Sequence, residues 1–362
     1  MKYFSDNLLR WRIFLIIAAF SIFTGCNLVK KESKTPTLLK TETAEQRELM
    51  NEVNRYARVN SMRAKMDLQF EDNSFAEFGT KEKYRTADGE IVVQRPGMIL
   101  LKVQAPFIRT DIAQMTSDGV NFRVAVLNDG GSGKYKKFVK GTNKADYSKL
   151  QKSLSTNGNG NGDAKAAKEN VNAFANLRPQ HFTDAMLVRP IDAENFYTMS
   201  SIFEIEDDNT VNSKSPIRKV MRGYYLLDEY QKGEQGTLKI LRRFWFDRVG
   251  GIRLAKQQIF DDKGEIESDI VYGKEGKLTE TTDYQNLPLE IQVTRPKEKY
   301  AMKLTYQTPE AVSIGKKYPE TAFVLQNSWN LEEVDLDKRL SEVKVDQPTS
   351  NANRTGVTKY QP

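Results

Sequence analysis

The stretch Met62-Arg-Ala-Lys-Met-Asp-Leu-Gln-Phe70 alternates strictly between apolar and polar side chains. Successive side chains of a β-strand point to opposite faces, so a period of two predicts a strand with one apolar and one solvated face. Similar segments recur as far as Tyr306, and Ala87-Asp-Gly89, Ser117-Asp-Gly119 and Asp261-Asp-Lys-Gly264 are typical turn motifs between them. Because strands joined by short turns run antiparallel, and a sheet of roughly ten or more strands must curl or close, the sequence predicts one large curved antiparallel sheet.

Only a few segments have a helical period. One helix is predicted from about Thr43 to Val59, where Thr43-Ala-Glu-Gln46 fits a capping box and one apolar stripe follows. A second, short helix is predicted around Leu177–Leu187. We expect these helices to cover the open mouth of the curled sheet, so the predicted fold class is mainly β with a few α-helices.

The first residues have the three parts of a secretory signal peptide. Lys2, Arg10 and Arg12 give a basic start, and residues 13–23 form an uncharged run, IFLIIAAFSIF, that is shorter than the roughly 20 residues of a membrane-spanning helix. Phe23-Thr-Gly-Cys26 resembles a lipobox, the tetrapeptide at which lipoprotein signal peptidase acts. The alternative is a short membrane anchor, or an ordinary signal peptide with an incidental Cys.

Cys26 is the only cysteine of the chain, so it has no disulfide partner within it. Thioether lipidation explains an unpaired cysteine in an exported protein, and two or three acyl chains anchor far more strongly than one. Asn27 follows, where an Asp would retain an enterobacterial lipoprotein in the inner membrane. We therefore expect a lipid anchor on Cys26 in the outer membrane, facing the periplasm.

Composition argues against several function classes. The net charge of +7 is spread along the chain without a dense basic block, so nucleic acid is not an expected partner. One Cys and one His, His181, cannot form a Cys/His zinc site, and no G-x-S-x-G motif accompanies the histidine. Gly130-Gly-Ser-Gly-Lys134 lacks the spacing of a phosphate-binding loop. We expect no catalytic residue, no metal, no cofactor and no enzyme activity.

The composition also changes along the chain. We predict a lipoprotein signal peptide at residues 1–25 and a lipidated tether at residues 26–42. A half-barrel domain follows at residues 43–340, with a flexible Gly/Asn-rich insertion near residues 141–175, and a disordered tail occupies residues 341–362.

The segment Val93-Gln-Arg-Pro-Gly-Met-Ile-Leu-Leu-Lys-Val-Gln-Ala-Pro106 reads as a strand, an Arg-Pro, a second strand and a Pro. It leads into Met115-Thr-Ser-Asp-Gly-Val-Asn-Phe122, an "SDG" turn before an aromatic strand. This order resembles the outer-membrane lipoprotein carrier and receptor superfamily, LolA and LolB, over roughly residues 43 to 327. The resemblance implies an unclosed antiparallel β-barrel, a curved sheet covered by a helical lid, whose cavity takes up acyl chains.

Arg95 matches the family's arginine that bonds to the lid backbone and holds the empty cavity shut, so the resemblance makes it a lid latch. Ile99 lies where the carrier has an aromatic cavity residue. The chain departs from the carrier in its lipidation, its length and its Gly/Asn-rich insertion. Together with the apolar phase of the strands, the resemblance predicts a cavity lined by Met62, Met66, Leu68, Phe70, Ile99, Val120, Phe122 and Val124.

Two functions remain open from the sequence. The first is an outer-membrane lipoprotein that binds lipid or lipoprotein acyl chains in a half-barrel cavity, in lipid or lipoprotein trafficking. The alternative is an envelope sensor or interaction lipoprotein on the same fold without a transport role. The expected partners are an acyl lipid or the lipid moiety of a lipoprotein, the membrane through lipidated Cys26, and an envelope protein.

Replacing Cys26 tests the anchor. Cys26→Ser should leave the protein unlipidated, because serine has no thiol to form the thioether. Fractionation and intact mass spectrometry should then find the variant outside the membrane fraction and without the mass of the acyl chains. A variant that stays membrane-bound, with no difference in mass beyond the Cys-to-Ser exchange, would contradict the prediction.

Overall fold

The computed structural model describes residues 35–72, 82–83, 86–105, 110–128, 133, 136–145, 147, 150, 178–208, 211–212, 215, 217–233, 236–279 and 284–345. The predicted signal peptide, Cys26, most of the predicted insertion and the chain after residue 345 lie outside these residues. The chain divides into two compact units. The smaller comprises Met1–Leu39 and Glu204–Arg222, and the larger comprises Lys40–Phe203 and Gly223–Pro362.

Strands dominate the described residues. They are β1 (Thr37–Leu38), β2 (Ser61–Asp72), β3 (Glu82–Lys83), β4 (Ala87–Gln94), β5 (Met98–Gln104), β6 (Asp111–Asp118), β7 (Asn121–Val126), β8 (Lys137–Thr142), β9 (Phe196–Asp207), β10 (Lys219–Lys232), β11 (Leu238–Asp247), β12 (Arg253–Phe260), β13 (Ile266–Gly276), β14 (Leu287–Arg295), β15 (Tyr300–Tyr306), β16 (Ser313–Ile314) and β17 (Glu332–Asp335). The α-helices are α1 (Gln46–Ala57), α2 (Pro179–Met186) and α3 (Leu336–Val345), and short 3-10 helices cover Pro309–Ala311 and Glu320–Phe323.

In the larger unit the strands form one curved, unclosed sheet. Its hydrogen-bonded order is β10-β11-β12-β13-β14-β15-β2-β4-β5-β6-β7-β8-β17, and each neighbouring pair is antiparallel except the last. The predicted mainly β, curved and unclosed fold is therefore confirmed. Two pairs depart from the predicted antiparallel pattern: β17 pairs in parallel with β8, and β1 pairs in parallel with β10 in the smaller unit.

Register places the apolar phase of the strands on one face. Met62, Val93, Ile99, Ser117 and Phe122 lie directly opposite one another on five successive strands, β2, β4, β5, β6 and β7. All five are buried. Removing such side chains from water contributes about 25 cal/mol for each Å² of apolar surface, so this row is part of what stabilises the curved sheet.

One predicted turn and one predicted cap are wrong. Ala87-Asp-Gly89 lies inside β4 and pairs with Leu68, Asp67 and Met66 of β2. A Cβ on Gly89 would lie 2.7 Å from Leu68 Cδ1, so the glycine is explained by close packing rather than by a turn. Helix α1 begins at Gln46, with Glu45 as N-cap, and the Glu48 carboxylate accepts a 3.0 Å hydrogen bond from the Glu45 N–H.

Structured residues lie at several of the predicted segment boundaries. The predicted tether contains β1, and the backbone N–H and carbonyl of Glu42 bond to Arg248. Residues 141–145 at the start of the predicted insertion are structured, and α3 continues to Val345, beyond the predicted start of the tail at residue 341.

Gly141 of β8 is a position where a close approach requires glycine. Its Cβ would lie 2.5 Å from the hydroxyl oxygen of Tyr147 and 2.9 Å from Cζ of Phe122. The Tyr147 hydroxyl accepts a hydrogen bond from the Thr142 N–H at 2.8 Å and donates one to Asp337 of α3 at 2.6 Å. A methyl group at Gly141 therefore pushes on a side chain that joins β8 to α3.

We expect Gly141→Ala to lower the free energy of unfolding by about 1–3 kcal/mol through overpacking. Gly273→Ala in β13 is the matched control, because its Cβ would approach no atom closer than 3.9 Å. The control should be neutral or slightly stabilising, since alanine restricts the unfolded chain. Urea denaturation of both variants measures the difference, and equal stabilities would show that the contact at Gly141 is unimportant.

Candidate functional site

Two helices cover the concave, apolar face of the sheet. Helix α1 packs on β12, and α2 packs on β4, β5, β6 and β14. The buried side of α1 carries Leu49, Val53 and Tyr56. Helix α2 is short and contributes a largely buried surface that includes Phe182 and Ala185. Both helices occupy the position of the lid that the sequence predicts, and we call them the lid helices.

Most of the predicted lining residues belong to the buried core of this face. Six are at most 3% exposed, namely Met62, Met66, Leu68, Ile99, Phe122 and Val124. Phe70 is partly buried and packs against the same core. Val120 does not line it, because 63% of its surface is exposed. It lies in the turn before β7, where its N–H bonds to the Asp118 carboxylate at 2.9 Å, so it is outside the strand alternation on which the prediction relied.

A small cavity remains between the lid helices and strands β13 to β15. The space open to the centre of a water molecule is about 20 Å³, little more than one such molecule needs. The side chains around it are mainly apolar or tyrosine: Tyr56, Val59, Met62, Ala185, Met186, Val188, Tyr272, Leu278, Leu287, Pro288, Ile291 and Tyr306. An acyl chain therefore does not fit this cavity without movement of the lid helices.

Arg95 joins the sheet to the ends of both lid helices. Its guanidinium donates to the carbonyl oxygens of Ala57 at 3.2 Å and Val59 at 3.1 Å, at the end of α1. It also donates to those of Leu187 at 3.5 Å and Val188 at 2.7 Å, directly after α2. This is the contact with the lid backbone that the resemblance implied, and the latch function itself stays a proposal.

The segment that follows α2 is held at further points. We call residues 187–192 the strap. Arg242 of β11 donates to the next two carbonyl oxygens of the strap, those of Arg189 at 2.8 Å and Pro190 at 3.0 Å. The Ile191 N–H donates to the side chain of Asn54 at 3.0 Å. Four consecutive carbonyls, from residue 187 to residue 190, are thus bound by two arginine side chains.

Arg242 is itself oriented by a buried ion pair with Glu229 of β10. The two residues are directly opposite in the strand register, and their side chains are only 4% and 2% exposed. Glu229 also accepts hydrogen bonds from Asn195 at 2.7 Å and from the Tyr197 hydroxyl at 2.9 Å. Burial alone would raise the pKa of Glu229, but the hydrogen bonds and the charge of Arg242 outweigh it and lower that pKa.

The electrostatic environment of Arg95 is different. Burial, and then the positive charges of Arg189 and Arg242, lower the pKa of Arg95. The guanidinium nevertheless stays protonated at any working pH, because an arginine side chain is not deprotonated in proteins. All hydrogen bonds of Arg95 within the described part of the chain go to backbone carbonyl oxygens. Arg95 therefore carries a half-buried positive charge that is satisfied by dipoles.

Three aromatic polar side chains of the core are bonded to the lid or to the sheet. The Tyr272 hydroxyl donates to the Ala185 carbonyl of α2 at 3.2 Å, and the Tyr56 hydroxyl of α1 donates to the Leu254 carbonyl at 3.3 Å. His181 of α2 is buried and hydrogen-bonds through Nδ1 to the Tyr300 hydroxyl. Among the described residues, no three His, Cys, Asp or Glu side chains are grouped to hold a metal ion.

Sequence reasoning missed the Glu229–Arg242 pair, although a signal was present. Glu229 follows Tyr225 and Leu227 in the inward phase of β10, and Arg242 precedes Phe244 in the inward phase of β11. One acidic and one basic residue at inward-facing, otherwise apolar positions of two neighbouring strands indicate a buried ion pair. The sequence contained both residues, but only the strand register places them opposite each other.

No protein-family model matches the chain, and no curated protein matches it in sequence. Among solved structures, it is similar to a LolA superfamily protein of Nitrosomonas europaea, with 10% identity, 78% of this chain and 99% of that chain covered, and a TM-score of 0.39. A DUF1329 family protein of Desulfovibrio piger has 10% identity, coverages of 76% and 95%, and a TM-score of 0.37. A domain described as an outer membrane lipoprotein-sorting protein of Vibrio parahaemolyticus has 12% identity, coverages of 76% and 94%, and a TM-score of 0.36. The superfamily whose motifs the sequence resembles is thus among the structures found.

Within the described residues, no helix has the length and hydrophobicity required to cross a membrane.

Replacing Arg95 tests its bonds to the lid. Arg95→Leu removes four hydrogen bonds from a charged donor, so we expect amide hydrogen exchange in the strap and the last turn of α1 to become about 10–100-fold faster. Arg63→Leu is the control, because Arg63 is a largely exposed residue of β2 that pairs with Glu90. Exchange that is equally slow in both variants would leave Arg95 as an ordinary surface residue.

Replacing Glu229 tests the buried pair. Glu229→Gln leaves Arg242 buried without its counter-ion and should lower the free energy of unfolding by about 3–5 kcal/mol at pH 7. Glu90→Gln is the matched control, because Glu90 pairs with Arg63 and both side chains are substantially exposed, at 31% and 54%. The control should cost at most about 1 kcal/mol.

The same pair predicts a pH dependence. Because folding lowers the pKa of Glu229, its contribution is complete above the ordinary pKa of 4.5 and is lost as pH falls through the lowered value. The stability difference between the wild type and Glu229→Gln should therefore shrink below about pH 4.5. A difference in urea denaturation that is the same at pH 7 and at pH 3 would contradict this account.

Proposed function

We propose that this chain is a cell-envelope lipoprotein of the outer membrane, anchored through Cys26, that binds acyl chains of lipids or lipoproteins between its curved sheet and its lid helices. It acts by binding and not by catalysis. The lid helices and the strap form the closed state, and an acyl chain displaces them to reach the apolar face of the sheet.

The observation that carries this proposal is the way the lid is held. Arg95 and Arg242 bind the lid through hydrogen bonds to backbone carbonyl oxygens, and these can be exchanged without breaking the sheet. Beneath the lid lies a continuous apolar core that reaches from β7 to β12. A lid that is held by hydrogen bonds and covers an apolar surface can open and close without unfolding the sheet.

The free energy gained by burying an acyl chain is comparable to the free energy lost when the strap hydrogen bonds break. Burying one methylene of a ligand contributes about 0.8 kcal/mol, so a chain of 16 carbons gains on the order of 10 kcal/mol before costs are subtracted. Each strap hydrogen bond contributes about 1.5–3 kcal/mol net when the donor is charged. An acyl chain can therefore offset the loss of these bonds, whereas a short apolar molecule cannot.

The side chains next to the remaining cavity suit an adaptable lining. Met62 of β2 and Met186 of α2 both border it. Methionine has three rotatable bonds and a polarisable sulfur, so it can follow ligands of different shape. This supports binding of acyl chains as a class rather than one rigid ligand.

A second candidate function is favoured by one observation. The cavity described above has room for little more than one water molecule. A lipoprotein whose fold presents a fixed surface to an envelope partner, as a sensor or interaction module, would have such a filled interior.

Binding of a fluorescent acyl probe separates the two candidates. The purified chain with Cys26→Ser should bind the probe, release it to palmitate, and carry acyl lipid in native mass spectrometry. Met62→Gln and Met186→Gln should each weaken the probe about tenfold, because each places an amide against the chain. Val120→Gln, at an exposed position, is the control. If the folded wild type neither carries lipid nor binds the probe, the acyl-binding proposal fails and the second candidate stands.

A further inference from the structure

The two arginines that hold the strap lie close together. They bind the carbonyls of four consecutive residues, 187 to 190, a span of at most about 11 Å along the backbone. Arg95 approaches from the β4–β5 connection and Arg242 from β11, so the strap bridges two distant parts of the sheet. Any molecule that displaces the strap exposes both guanidinium groups at the same rim of the cavity.

This rim has an excess of positive charge. Arg95, Arg189 and Arg242 are its cations, and Glu229 is the carboxylate paired with Arg242. The exposed Asp192 at the end of the strap is a second carboxylate, so the cations still outnumber the anions. Asp184 of α2 also acts on Arg189, but burial raises the pKa of Asp184 and so favours its neutral form. In the closed state, carbonyl dipoles satisfy Arg95 and no full negative charge does so within the described residues.

When the strap opens, the N–H groups of these arginines therefore need new hydrogen-bond acceptors. The guanidinium of Arg95 would lose its two carbonyl partners in the strap, those of Leu187 and Val188, and needs new ones in a partly buried place. A carboxylate or phosphate satisfies a guanidinium better than a carbonyl does, because both partners are then ionised and two parallel hydrogen bonds form. A hydroxyl or ester head group offers no such replacement.

We propose that Arg95 and Arg242 form the head-group site for an anionic amphiphile, whose carboxylate or phosphate takes the place of the strap carbonyls when its acyl chain enters the cavity. This inference rests on the proposed acyl-chain binding and names its ligand class. The ligand is then not a neutral acylglycerol but a lipid with a negative charge at the head of the chain.

Glu229 gives the two arginines different roles at this site. It fixes the orientation of Arg242 through the buried ion pair and neutralises part of its charge. Arg95 has no such partner in the described chain, and it provides the main attraction for the anion. Arg242 is a positioning residue that offers its remaining N–H groups beside it.

Ligands with the same tail and different heads test the proposal. The probes are palmitate, 1-palmitoyl lysophosphatidic acid and neutral 1-palmitoylglycerol, each competing with the fluorescent acyl probe on the purified chain with Cys26→Ser at pH 7.5. We expect at least one anionic head to bind about tenfold more tightly than the neutral one, and this preference should decrease in 0.5 M salt. A preference for either anionic ligand, or for both, over 1-palmitoylglycerol supports the proposal. Which of the two anionic ligands is preferred shows whether the site takes a carboxylate, a phosphate or both.

Variants then locate the preference. Arg95→Gln, and the double variant Glu229→Gln with Arg242→Gln that removes the buried pair as a unit, should reduce the preference to less than about threefold. Arg95→Lys keeps the charge and should retain part of it. Arg243→Gln is the matched control, since Arg243 is the next residue of β11 and pairs with Asp228 on the opposite face. Circular dichroism verifies that each variant is folded.

The possible failures are distinct. Equal affinity for anionic and neutral heads in the wild type would overturn the head-group site and leave acyl binding intact. A preference that Arg243→Gln removes as completely as Arg95→Gln would also overturn it, because a general loss of positive charge would then explain the effect. If none of the probes binds, the proposed function fails as well.

Discussion

The buried backbone carbonyl oxygens at the ends of the lid helices need hydrogen-bond donors, and the neighbouring backbone cannot supply them. The last carbonyls of a helix have no partner within it, and the extended residues that follow have none in a sheet. Here the end of α1 and the strap after α2 meet over an apolar surface. Arg95 donates to both of them, and Arg242 donates to the strap. The placement of the lid helices over the sheet depends on this satisfaction of backbone carbonyls by side chains.

The constraint also explains why the inner face of the sheet is not uniformly apolar. Arg242 lies in the inward phase of β11, and a charge there requires a partner, which Glu229 provides from the directly opposite position. Replacing such a pair with apolar side chains is often neutral or stabilising for a fold, so its presence requires a reason other than stability. Holding the strap carbonyls is a reason that the hydrogen bonds support, because both free ends of the Arg242 guanidinium bond to the strap.

Much of this architecture follows from the sequence, because it depends on local patterns. Alternation gives the strands and their apolar phase, and the Arg-Pro motif and its flanking strands give Arg95 together with the resemblance to a lidded half-barrel. The failures occur where local patterns compete with tertiary contacts. Val120 continues the alternation of β7 in the sequence, but the turn at Gly119, with φ of +95°, exposes its side chain. The parallel β8–β17 pair joins segments almost 200 residues apart, as does the Tyr147–Asp337 hydrogen bond with a separation of 190, and no short-range pattern predicts either.

The central claim is that the lid helices move away from the sheet to admit an acyl chain. A distance between spin labels on α2 and on the outer face of the sheet measures this movement directly. Gln180 of α2 and Gln292 of β14 are both exposed, so each can be replaced by a labelled cysteine in a chain that carries Cys26→Ser. Double electron–electron resonance should give one narrow distance without ligand and a distance longer by several ångströms with saturating palmitate. A distance distribution that is unchanged while palmitate is bound would contradict the account.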